Sequence, residues 1–215
     1  LIFKMSLEQK VKLVTSLNLY ENSANENYEI PVFRLTRNPL EDEAGVFATG
    51  FPSDRALAST WNMPLVKEVY SKHGEEVSAV KKYAYFNVSD SLVKEDVSDD
   101  YYLTASTLSS KIKGLCAARQ FVNFEEFAPE SGEEQAVKSL QDVILSGSSP
   151  RSVYLKTPES IENYKAQRNA GALFYGVAGS VNEALRYFLN GCSIVFLKAD
   201  LTEELCALLK TLTVG

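Results

Sequence analysis

The sequence predicts an α/β fold in which parallel strands are joined by helices. Strand-like runs alternate with amphipathic helical stretches along nearly all of the 215 residues, and alternation of this kind implies helical crossovers between parallel strands. The later strands, Ser193–Leu197 (SIVFL) and Ala172–Val177 (ALFYGV), are almost continuously apolar, as strands covered on both faces are. A hydrophobic content of 45% is enough for one sizeable core, or at most two small ones. Two architectures fit: an open doubly wound sheet and a (β/α) barrel. A standard barrel takes about 250 residues, so the chain is short for one. With no internal repeat and no linker, residues 1–215 read as one domain.

The elements follow from local signals. Ser6 to Leu19 carries Leu7, Val11, Val14 and Leu17 at helical spacing, with Ser6 as N-cap and Gln9 at the reciprocal position of a capping box. Tyr28–Leu35 reads as a strand. Ser53–Tyr70 is helical with a break or offset near Pro64, and Val66–Val80 continues it. Tyr83–Val88 is β-rich. Asp100–Leu115 is a helix ended by Gly114, and Gln120–Phe124 a strand. Glu133–Leu145 is a helix closed by the turn residues 146–150, and Ser152–Leu155 a strand. Ser160–Asn169 is helical. Ala172–Val177 is a strand, Ser180–Leu189 a helix ended by Gly191, Ser193–Leu197 a strand, and Thr202–Leu212 the last helix. About six strands are recognised.

Charge and cysteine content exclude several classes. The net charge of −6 and pI near 5.0 argue against a nucleic-acid surface, which needs a basic patch, and weakly against anionic membranes. No apolar run approaches the ~20 residues that span a bilayer. Cys116, Cys192 and Cys206 are widely spaced and odd in number, so they read as buried small hydrophobes and not as a disulfide framework. A cytoplasmic setting is the default expectation; an export signal removed before Leu1 is also compatible with the sequence. No cofactor is expected, since Gly45, Gly50, Gly176 and Gly179 form neither GxGxxG nor a P-loop.

One stretch is more specific. Residues 48–79 contain Phe51-Pro52, then Ala56-Leu57-Ala58-Ser59-Thr60-Trp61-Asn62, then Gly74-Glu75-Glu76. This resembles the pattern of glycoside hydrolase family 3, the β-glucosidase family. Met5-Ser6-Leu7-Glu8-Gln9-Lys10-Val11, Ser98 to Thr104, Lys113-Gly114-Leu115, and Ala184-Leu185 with Asn190-Gly191 look like further family segments in the same order. The resemblance covers most of the chain, strongly in the first half and weakly after residue 120. It implies a (β/α) barrel of TIM type, shortened or incomplete, whose pocket takes a terminal sugar.

The resemblance also implies where the chemistry should lie. Retaining glycosidases need a nucleophile and an acid/base carboxyl about 5 Å apart. The family nucleophile is the Asp of a Ser-Asp-Trp at the end of a late strand, and Gly176 stands at the matching position. No Asp or Glu occurs from Ala170 to Asn182, so a shift of register restores none. Arg37-Asn38-Pro39 matches the family's Asp-Gly-Pro, and Val122-Asn123 its Lys-His pair. Ser91 to Glu95 matches its Gly-Arg-Asn-Phe-Glu, with only Glu95 kept. Arg37, Glu95, Val122, Asn123 and Tyr175 are thus pocket-lining by resemblance, and no catalytic residue is assigned. The family's acid/base commonly sits on a second domain or long loop, for which no room is expected after residue 215.

Other candidates have plainer readings. His73 is a lone histidine expected at a surface or helix end, with no second histidine for a metal site. Glu75-Glu76 is expected to pair with a nearby lysine. The acidic clusters at 41–43 and 96–100 lack calcium-loop spacing and read as solvated loops. Trp61 is expected in the core and not as a sugar platform. Glu125, Glu126 and Glu130 follow a strand, where barrel sites form, and are the candidates for a relocated acid. The leading functional expectation is a non-catalytic domain of this ancestry acting as scaffold, interaction or residual carbohydrate-binding module, with a carbohydrate, a protein or a second copy as partner. The alternative is an active glycosidase with relocated carboxylates or one completed by another domain.

Overall fold

The structure, a computed structural model, describes residues 4–16, 29, 35–36, 49–80, 85–88, 97–126, 134–197 and 201–213. Its helices are α1 (Leu7–Val14), α2 (Asp54–Ala58), α3 (Met63–Val80), α4 (Tyr101–Ala117), α5 (Glu134–Gly147), α6 (Lys165–Asn169), α7 (Val181–Asn190) and α8 (Thr202–Thr213). The strands are β1 (Thr15–Ser16), β2 (Leu35–Thr36), β3 (Tyr85–Val88), β4 (Phe121–Glu125), β5 (Ser152–Leu155), β6 (Leu173–Ala178) and β7 (Ile194–Leu197). The α/β class is as expected. Residues 41–43, Arg37 and Glu95, and most of the expected strand at 28–35, lie outside the described residues.

Contacts group the chain into two interleaved units. One comprises Leu1–Leu35, Tyr154–Lys165 and Leu173–Gly215; the other comprises Thr36–Val153 and Ala166–Ala172. In the first unit β7 lies between β1 and β6, parallel to both, with Thr15 opposite Val195 and Gly176 also opposite Val195. The α1 helix begins with the expected capping box: Ser6 Oγ accepts from Gln9 N at 3.2 Å and Gln9 Oε1 from Ser6 N at 2.9 Å. It stops at Val14, short of Leu19, because Thr15 is extended and joins β7. Strand pairing here outweighs an intrinsic helix preference that is weak for β-branched Thr. Val11 packs with Leu205 and Cys206 of α8, bordered by Leu185 and Phe188 of α7. Ser180 caps α7, and Gly191 ends it at φ 101°, a left-handed turn that costs glycine nothing. The expected helix at 160–169 is a 3-10 turn, Pro158–Tyr164, followed by α6.

In the second unit β3 and β4 run parallel, Asn87 opposite Asn123. The helical region does break around Pro64: α2 stops at Ala58, and α3 starts at Met63 with the proline in its first turn, where a missing N–H costs nothing. Asp100 caps α4, its Oδ1 accepting from Leu103 N at 2.6 Å. Gly114 does not end α4, as expected from sequence, but lies within it. Its lack of Cβ serves packing: a Cβ there would stand 2.4 Å from Lys67 O and 2.9 Å from Tyr70 Cβ. On the facing helix a Cβ at Gly74 would meet that of Ala118 at 2.6 Å. Contact positions rise together on α3 and α4, so the two helices run in the same direction, as βαβ units require. Arg119, at φ 60°, makes the left-handed turn that ends α4.

A strap crosses α3. Thr49 donates through N and Oγ1 to Glu76 Oε1, at 2.8 and 3.0 Å. The Phe51 ring stacks on His73 with centroids 4.7 Å apart. The Tyr70 hydroxyl donates to Asp54 Oδ1. Glu76, His73 and Tyr70 are three residues apart and therefore share one face of α3, so residues 49–54 run antiparallel to that helix. His73 is accordingly buried, not at a surface or helix end as expected, because the strap lays an aromatic ring over it and Phe86 meets it edge-on at 5.3 Å. Glu75 does pair with Lys72, at 2.7 Å; Glu76 instead holds the strap.

Lys111 Nζ lies 2.8 Å from Asp54 Oδ2 and 4.8 Å from the Tyr70 ring centroid. Burial and the adjacent Asp54 charge push the Tyr70 phenol far above its ordinary range. The Asp54 and Lys111 side chains are only 12% and 13% exposed. Asp54→Ala would remove the carboxylate on which an ammonium and a hydroxyl converge. Destabilisation of about 2–4 kcal/mol is expected, read as a lower urea midpoint, with Asp54→Asn recovering part of it by still accepting from Tyr70.

Candidate functional site

The two groups of candidate positions fall in different units and are described separately. In the second unit, β4 is buried from Val122 onward. Val122 and Phe124 are fully buried, and Asn123 is 1% exposed. Side chains alternate along a strand, so Val122 and Asn123 point to opposite faces, and Asn123 shares its face with Glu125. Asn123 Oδ1 accepts from Ser152 Oγ of β5 at 2.8 Å. Glu125 and Glu126, 6% and 8% exposed, lie at the C-terminal end of the strand. Both candidate acids are therefore drawn inward at the end of a parallel strand, the position from which α/β sites are built. Glu130 lies outside the described residues.

In the first unit, Tyr175 and Gly176 sit in the middle of β6. Tyr175 is 1% exposed and stacks on Phe196 of β7 with centroids 5.9 Å apart. Gly176 faces α7: a Cβ there would lie 2.3 Å from Tyr187 Cε1 and 2.4 Å from Cδ1. Tyr187 is buried, and its hydroxyl donates to Lys156 O at 3.0 Å. The ring thus occupies the space a side chain at 176 would need, on the face of β6 that packs against a helix. No sequence signal announced this pairing; glycine and tyrosine stand eleven residues apart on different elements.

Trp61 departs from its expected place. It is 65% exposed, not in the core. It lies three residues beyond α2 in a left-handed turn at φ 54°, its N–H donating to Ala58 O at 3.0 Å. Among the described residues, no group of three or more His, Cys, Asp or Glu could hold a metal ion, and no helix is long and apolar enough to cross a membrane. The three cysteines are free. Burial raises the Cys192 thiol to about 12, against 9.0 for an ordinary one. A group whose folded pKa is raised adds stability that is complete below its unfolded value, so this contribution is lost as pH climbs from about 9 to about 12. Cys192 should accordingly resist a thiol reagent at pH 8 until denaturant is added, measured by thiol titration.

No family model matches the chain. It is 26% identical over 180 residues to "Thermostable beta-glucosidase B" of Acetivibrio thermocellus, covering 74% of this chain and 24% of that protein. It is 25% identical over 171 residues to "Probable beta-glucosidase H" of Aspergillus flavus, covering 71% and 20%. Among solved structures, β-glucosidase 3B from Thermotoga neapolitana in complex with α-D-glucose superposes with a TM-score of 0.72 at 20% identity, over 99% of this chain and 39% of that one. This chain resembles the glycoside hydrolase family 3 β-glucosidases. A family 3 β-glucosidase from Bifidobacterium adolescentis agrees, with a TM-score of 0.71 at 15% identity over 97% and 36%. The family 3-like chain thus spans 24% or less of the length of these two curated relatives. The likeness includes the Phe51 to Glu76 stretch, whose strap, helix break and close helix contact are the features described above.

Proposed function

We propose that this is a family 3-like domain of (β/α)-barrel type, shortened or incomplete, that binds carbohydrate or a protein partner and does not itself hydrolyse glycosides. The fold likeness over nearly the whole chain supports the barrel-type reading. The observation that carries the loss of chemistry is Gly176. The position that resemblance assigns to the nucleophile has no side chain, and the room for one is taken by Tyr187. Without a carboxylate there, no glycosyl-enzyme intermediate forms at that point. A glucose-like pyranose is the ligand class we assign, since a structural neighbour was solved with α-D-glucose. A cytoplasmic setting, with neither membrane nor nucleic acid as partner, belongs to the same proposal.

Buried Glu125 and Glu126 favour a second reading, an active glycosidase with relocated carboxylates. One assay separates the two. With aryl-β-glucosides and aryl-β-N-acetylglucosaminides, the purified chain should show no turnover above buffer. Turnover that survives repurification and disappears in Glu125→Gln or Glu126→Gln would sink the proposal in favour of the second reading.

A further inference from the structure

The turn between α2 and α3 holds a feature that packing does not require. Bulky residues with positive φ are outliers, and left-handed backbone costs an L-residue roughly 1–2 kcal/mol. Trp61 holds φ 54° while 65% exposed, so burial of the indole offsets little of that cost. The surroundings fix it instead. Thr60 Oγ1 donates to Leu57 O at 2.6 Å and accepts from Asn62 N at 3.2 Å. Asn62 Oδ1 accepts from Leu65 N at 3.1 Å, starting α3 directly after the tryptophan. Upstream, the Asp54–Tyr70–Lys111 cluster, the Phe51–His73 stack and the Thr49–Glu76 bonds fasten the strap to α3 and α4. Strain kept at an exposed residue by an over-determined scaffold points to a use for the side chain.

We propose that Trp61 is a carbohydrate-stacking residue, a pre-positioned platform for the apolar face of a pyranose ring on the surface of the second unit. The inference rests on the carbohydrate-binding reading above. Indole offers a flat face of negative quadrupole to the slightly positive C–H face of a sugar, and a rigid side chain with two torsions loses little entropy on binding. The hydroxyl groups of the ring remain in water, so no polar cage is needed around it. Asp54, Tyr70 and Lys111 fasten the start of α2, the helix whose far end leads into the turn.

Trp61 is the one tryptophan of the chain, so its emission reports on this site alone. Titration with cellobiose, gentiobiose and chitobiose should give a saturable change in emission, matched by calorimetric binding. Trp61→Asn keeps a residue that tolerates left-handed backbone. It should fold with an undiminished melting temperature and bind about ten-fold or more weakly, the usual loss when an aromatic anchor is truncated. Trp61→Phe, with a smaller ring, should fall between. A W61N variant that binds sugar as tightly as the unmodified chain would overturn the platform while leaving carbohydrate binding intact. No calorimetric binding by the unmodified chain would overturn both. An emission shift that follows protein concentration without sugar would assign Trp61 to contact with a second copy and overturn the platform as well.

Discussion

Gly176→Asp is expected to lower the melting temperature by about 10 °C and to confer no glycosidase activity. Restoring the carboxylate that the resemblance asks for would drive its Cβ to 2.3 Å from one atom of the Tyr187 ring and to within 2.7 Å of two more. The ring cannot swing away cheaply. It is 1% exposed and tethered by its hydroxyl to Lys156 O. Overpacking of this kind costs about 1–3 kcal/mol, and burying a carboxyl group without prepared partners adds about as much again. For a chain of this size each kcal/mol is worth about 2–4 °C. Gly176→Ala isolates the steric part and should fall between the two. Calorimetry reads the stability and aryl-glucoside hydrolysis the activity. A G176D variant that melts like the parent and turns over substrate would show that the position faces a working pocket after all.

Gly114→Ala should be destabilising by about 2–3 kcal/mol, although alanine is the better helix former. Intrinsic preference favours the substitution by about 1 kcal/mol. Against it stands a Cβ placed 2.4 Å from Lys67 O and 3.0 Å from Ser71 N. Both are backbone atoms of α3, so no side chain can turn aside and the helices must separate. Parting them would open space beside Val66 and Leu115, both fully buried. The urea midpoint of G114A decides it. An increase would mean that α3 and α4 slide apart at little cost, and that the close contact is incidental. The same sterics apply more mildly at Gly74, where the obstructing atom is the Ala118 Cβ.

Helix and strand positions were largely legible because their signals are local. The Ser6–Gln9 box and Gly191 after α7 each act within four residues and are found where the sequence placed them, and the helices expected to begin at Ser53, Asp100 and Ser180 do begin there, with those residues as their caps. Boundaries failed where a distant partner intervened. Thr15 leaves its helix because β7, 180 residues later, offers it a strand to pair with. Gly114 read as a helix stop because glycine usually is one, yet Lys67 of another helix explains it. His73 and Trp61 were exchanged in expectation: the histidine is inside and the tryptophan outside. Polarity would place them the other way; the strap, which no periodicity encodes, is what buries the histidine.

By itself, then, the sequence determined the α/β class, most of the element order and the likeness to family 3, all carried by short-range patterns or by motif order. It also established that no carboxylate stands between Ala170 and Asn182. The tertiary structure decided what fills that place, which glycines are there for contact, and which aromatic ring is left in water. The glycine contacts depend on atoms of different elements, eleven residues apart for Gly176 and Tyr187 and more than forty for Gly114 and Lys67. A gap of 2.3 Å between a missing Cβ and a tyrosine ring has no trace in a linear pattern, because it is created only when β6 and α7 pack together.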